Sequence, residues 1–129
     1  MGTETHQKAA DSAPTAMPPV SELELIALDC DRALVAFAQH PDPEENARQL
    51  VVMLDHGERL TGLVKRLPEA EWDIRVSGAL QDWAELIDRG PGDGPFASWT
   101  YLRALARAVR SCTQFLQARD RPRPFRFDL

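Results

Sequence analysis

The sequence predicts an all-α protein, an antiparallel four-helix bundle with a disordered N-terminal tail and an extended C-terminal arm. Three observations predict it. Apolar residues recur at the helical period in four segments, and no run alternates at the strand period of two. Most of the 10 prolines lie outside those segments, where they mark boundaries. The chain has 129 residues, 43% hydrophobic and 27% charged, which is one globular domain's worth. We divide it into a tail over 1–20, a bundle over 21–118 and an Arg/Pro/Phe arm over 119–129.

Each element has a local reason. The tail is rich in Ala, Pro, Thr and Ser, with Met17 as its one large apolar residue before the first helix. Ser21 and Glu24 have capping-box spacing and open a first helix over 22–39. Leu23, Ile26, Cys30, Ala33, Leu34 and Phe37 share its inner face. Asp42 as N-cap, Pro43 at the first position and Glu45 open a second helix over 43–66. Its apolar face runs from Leu50 through Met53, Gly57 and Leu60 to Val64. Gly57 and Gly62 each cost a helix interior about 1 kcal/mol against alanine. Close approach of a neighbouring helix would offset the cost at Gly57, whereas Gly62 lies off that face. A third helix over 69–88 carries Trp72, Val76, Ala79, Leu80, Trp83, Leu86 and Ile87 on one side. Glu71 with Arg75 and Glu85 with Arg89 have the spacing of i,i+4 ion pairs on the other. Pro68 leaves open an irregular segment over 68–78 instead. Gly90-Pro-Gly-Asp-Gly-Pro95 is a loop, and a fourth helix over 97–118 follows with Ser98 as its cap.

Several chemistries are excluded by what is missing. The three histidines, His6, His40 and His56, never follow a glutamate at the spacing a di-iron bundle uses, so no metal is expected. Cys30 and Cys112 fall on apolar faces, where cysteine acts as a small hydrophobe. No phosphate-binding glycine loop or nucleophile elbow is present. The sequence therefore presents no catalytic residue and no cofactor site. No apolar run approaches the ~18 residues of a membrane span, and the N-terminus lacks a signal-type apolar stretch. A cytoplasmic protein without a membrane partner is expected.

Charge is unevenly placed. The chain carries −5 overall, yet residues 99–129 hold seven arginines against only Asp120 and Asp128. Arg103, Arg107 and Arg110 follow one outer stripe of the last helix, and Arg119, Arg121 and Arg123 continue it beside Phe125 and Phe127. That surface suits a partner protein with an acidic face, although such a stripe is also what a solvated helix shows. The acidic remainder of the chain disfavours duplex DNA. On the first helix Leu28 and Val35 lie off the main apolar row, which implies a covering element or self-association through this helix.

The segment LVVMLDHGERLTGLVKRLP in the second helix and LRALARAVRSCTQFL in the fourth carry a resemblance. They resemble a small all-helical family of unknown function found in actinomycetes beside natural-product gene clusters. The leucine-rich start, the RLP turn and the arginine-bearing last helix with its cysteine are the shared features. The resemblance implies accessory duty in bacterial specialised metabolism and carries over no catalytic residue.

These readings favour a non-catalytic protein–protein interaction protein. A second reading is a small-molecule binder or enzyme whose pocket between helices is lined by Trp72, Trp83, Trp99 and Tyr101. A third is nucleic-acid binding through the basic last helix.

Overall fold

The computed structural model describes residues 17–35 and 42–120. Phe37, Arg121, Arg123, Phe125 and Phe127, and most of the N-terminal tail, lie outside the described residues. Four α-helices are present, with no strand among the described residues: α1 (Val20–Ala33), α2 (Pro43–Lys65), α3 (Ile74–Arg89) and α4 (Gly94–Asp120).

α1 starts one residue before the expected cap. Pro19 occupies the N-cap in extended geometry, and its carbonyl accepts the N–H groups of Glu22 and Leu23 at 2.9 and 3.1 Å. No side chain caps this end, so the Ser21–Glu24 box does not form. Pro18 is fully buried, so the chain is already packed before residue 21. The helix also stops at Ala33 rather than at 39. The carbonyls beyond it, of Leu34 and Val35, accept hydrogen bonds from α4 instead of extending the helical ladder. Val35 is consequently off the helix and half-buried, and it forms no row with Leu28.

α2 begins as the sequence dictates. The Asp42 carboxylate accepts the Glu45 N–H at 2.9 Å, and Pro43 occupies the first turn, where its missing N–H costs nothing. Met53, Gly57, Leu60 and Val64 are buried, while Leu50 and Leu54 pack half-buried at the margin of the core. The third helix is shorter than expected. Glu69–Glu71 form a 3-10 turn, Trp72 is extended, and the helix starts only where Asp73 accepts the Val76 N–H at 2.7 Å. Trp72 therefore lies outside the helix, and Ile87, expected on the inner face, is exposed. α3 closes at Gly90, whose φ of 75° suits glycine and whose N–H reaches the Leu86 carbonyl. α4 starts at Gly94, three residues early. Ser98 sits inside it and accepts a hydrogen bond from Asn46 Nδ2 at 2.9 Å instead of capping.

The bundle is asymmetric. α4 packs against each of α1, α2 and α3, whereas α1 and α2 touch each other lightly. Leu102, Leu105, Ala106, Val109, Cys112 and Leu116 of α4 are completely buried, which makes this helix the common wall of the core. Truncating one such leucine to alanine typically costs about 2–5 kcal/mol. Thr113, also buried on α4, returns its hydroxyl to the Val109 carbonyl at 2.8 Å, so no polar group is left open there.

Candidate functional site

The arginines of α4 are not an open row. Because α4 is central, its flanks face neighbouring helices, and long side chains there find partners. Arg103 donates to the carbonyls of Leu34 and Val35 at 2.8 and 2.9 Å, and its guanidinium lies 5.0 Å over the Trp99 ring. It thereby caps the C-terminal end of α1, where carbonyls lack helical donors. Arg110 pairs with Asp31 of α1, and Arg119 pairs with Glu71. Glu71 therefore forms this pair rather than the expected one with Arg75, which instead donates to Gln114 Oε1. Of the four, Arg107 alone makes no hydrogen bond or ion pair with a described residue. The charge pattern read from the sequence thus contains a set of clamps within the fold.

The four aromatic candidates each make their own contacts within the described fold. Trp83 is buried with its ring against Gly57. Trp72 donates its indole N–H to the Val64 carbonyl at 3.0 Å, and Trp99 donates to the Val35 carbonyl at 3.3 Å. The Tyr101 hydroxyl donates to the Leu86 carbonyl at 3.0 Å. The structure uses them to join elements across the bundle. Tyr101 borders a cleft formed by α3 and α4.

Two surfaces stand out. On α1, Leu25 and Leu28 are 62% and 52% exposed, about one turn apart, on a side turned from the core. Leu25 follows Glu22 and precedes Asp29, which join α2 through Arg59 at 3.3 Å and His56 Nε2 at 2.8 Å. A cleft of about 190 Å3 opens along this α1–α2 seam, with Val52 and Met53 as its apolar part. Its rim carries two ion pairs, Asp29–Arg32 at 3.0 Å and Glu45–Arg48. The Arg48 hydrogen bond holds the Glu45 carboxyl below its ordinary range. Gln49 Oε1, buried in the same place, has no hydrogen-bond partner among the described residues. The second surface is the α3–α4 seam next to the glycine-rich turn, with Arg89, Phe96 and Tyr101 on its walls. The sequence placed Arg89 in an i,i+4 pair with Glu85, which is not among the ion pairs of the described residues, and gave no sign of Phe96. The signal for this surface was the Gly90–Pro95 loop, whose Gly90 and Gly92 line the cleft between the two helix ends.

Both cysteines are free and completely buried, on α1 and α4. Burial pushes each thiol up to about 12, so neither is a thiolate nucleophile at neutral pH. Among the described residues no three His, Cys, Asp or Glu side chains gather as metal ligands, and no helix is long and apolar enough to cross a membrane.

The fold and these surfaces define an all-α protein organised around one central helix, with an apolar seam left open on its outer side. The chain belongs to a family of unknown function, DUF6415, which matches residues 24–120. This agrees with the resemblance of its second and fourth helices to a helical family without an assigned role. No curated protein and no solved structure matches the chain.

Proposed function

We propose that this protein is a non-catalytic accessory protein that works by docking a protein surface on the α1–α2 face, with a second copy of itself as the favoured occupant. The observation that carries the reading is the exposure of Leu25 and Leu28 beside an apolar seam that ion pairs rim on both sides. Apolar centre and polar rim are the anatomy of a protein interface. The rim offers Asp29 and Glu45 against Arg32 and Arg48, both signs in equal number. A two-fold contact brings a surface onto itself, so balanced signs favour self-pairing over a partner of one charge. The arginines of α4 give less support to an acidic partner, since Arg103, Arg110 and Arg119 are engaged within the chain. The resemblance supports placing this duty in bacterial specialised metabolism.

Sedimentation velocity over a concentration series tests the docking face. The wild-type chain is expected to show a concentration-dependent dimer, and the double variant Leu25→Asp/Leu28→Asp a monomer with unchanged helical circular dichroism. A wild-type protein that stays monomeric throughout, or a double variant that associates equally, overturns the reading. Disrupting the gene in its host and measuring specialised-metabolite titre tests the physiological placement.

A further inference from the structure

We propose that the cleft between the end of α3 and the start of α4 binds a small organic anion with an apolar body. The cleft holds about 350 Å3, within the ~300–1,000 Å3 typical of small-ligand sites. Phe96, Ala97, Tyr101 and Ala104 supply apolar wall, and Phe96 is 61% exposed with its ring 5.3 Å from that of Trp99. The polar groups of these walls are already used. The Tyr101 hydroxyl donates to the Leu86 carbonyl, and the Thr100 hydroxyl donates to the Phe96 carbonyl at 2.9 Å.

One strong donor remains. Arg89 is the single charged residue lining this cleft, and its guanidinium makes no hydrogen bond or ion pair with a described residue. Arg89 and Tyr101 line the same cleft, so the cation borders the apolar wall. The carboxylates of Asp82 and Glu85 line the adjoining chamber of about 240 Å3, which Arg89 and Arg107 line as well. Arg89 therefore borders both chambers, with no carboxylate beside it in the first and with Asp82 and Glu85 in the second. Charge sorting along the groove assigns the negative end of the ligand to Arg89 and its apolar body to Phe96, Ala97 and Ala104.

The glycine-rich turn borders the cleft through Gly90 and Gly92. Gly90 and Gly94 have φ of 75° and 91°, a geometry that side chains disfavour, and a Cβ on Gly92 would stand 3.0 Å from that of Ala97. The loop that the sequence marks so plainly thus has a role at the site.

The probe is 8-anilinonaphthalene-1-sulfonate, an aromatic body with one negative charge, and its uncharged counterpart is N-phenyl-1-naphthylamine. The full-length folded protein is expected to bind the sulfonate at one site, with amide shifts in NMR confined to residues around Ala97, Thr100 and Ala104. Arg89→Gln should weaken binding about tenfold or more, as loss of a charge-assisted hydrogen bond does, while Arg107→Gln leaves it unchanged. The uncharged probe should bind wild type and Arg89→Gln equally. Absence of saturable binding, equal sulfonate affinity in Arg89→Gln, or shifts centred on Leu25 and Leu28 overturns the proposal. Circular dichroism of both arginine variants confirms that the fold is retained.

Discussion

The indole ring of Trp83 on α3 lies against the backbone of Gly57 on α2, so close that a Cβ at residue 57 would stand 1.9 Å from its Cη2 atom. Glycine is required here by the approach of a ring rather than by backbone geometry, since Gly57 lacks a positive φ. Gly57→Ala should destabilise by about 1–3 kcal/mol, because overpacking outweighs the ~1 kcal/mol that alanine gains in helix propensity. Trp83→Ala should cost about 3–5 kcal/mol. The decisive measurement is Gly57→Ala in the Trp83→Ala background, where urea unfolding should show the sign reversed. A double-mutant cycle with simple additivity would mean that the ring does not rest on this glycine.

Gly62 and Gly78 present the opposite case. Both lie inside helices with nothing within 4 Å of an added Cβ, and neither has a positive φ. Alanine at each position should stabilise by about 0.5–1 kcal/mol, and the two gains should add because the sites are on different helices. Thermal unfolding of the single and double variants checks this, with the midpoint expected to rise stepwise.

The arginines of α4 should separate sharply in stability. Arg103→Gln removes two charge-assisted hydrogen bonds to the end of α1 and should cost about 1–3 kcal/mol. Arg103→Lys should recover only part, since an ammonium cannot reproduce the planar fork and its stacking on Trp99. Arg110→Gln loses an exposed ion pair with Asp31, worth about 0–1 kcal/mol, and Arg107→Gln should be near neutral. Equal small losses at all three positions in urea unfolding would restore the picture of a uniformly solvated face.

Alkaline pH should loosen the fold through its cysteines. Cys30 and Cys112 are pushed from an ordinary 9.0 up to about 12 in the folded chain, so above pH 9 the unfolded chain releases protons that the folded chain retains. Their contribution is complete below pH 9 and is lost as pH rises toward 12, by up to about 1.4 kcal/mol per pH unit for each thiol. Tyr101, raised by burial, adds in the same direction. Urea unfolding at several alkaline pH values should show this slope, and Cys112→Ala should flatten it whatever its effect on absolute stability.

Much of the fold was legible because it depends on neighbours in sequence. Asp42, Pro43 and Glu45 start α2 through bonds that span one turn, and the inner faces of α2 and α4 follow from the spacing of their own apolar residues. The α1–α2 seam and the Arg89 cleft were less legible. Leu28 stood out on helix periodicity, yet its expected companion Val35 left the helix. Arg89 read only as an i,i+4 partner of Glu85 and Phe96 gave no signal, since a cleft is defined by the space between two elements.

The sequence by itself determined that the chain is helical, how α2 starts, and that Leu102, Val109 and their neighbours go inside. Those outcomes rest on helix propensity, capping and apolar period, all written within single turns. Only the tertiary structure decided that α4 is the central wall, that α1 ends at Ala33, and that Arg103 and Arg110 reach α1. Leu34 and Arg103 are far apart in the chain, and so are Gly57 and Trp83. A carbonyl accepts from a guanidinium, or a glycine receives a ring, only after packing has chosen which helix faces which.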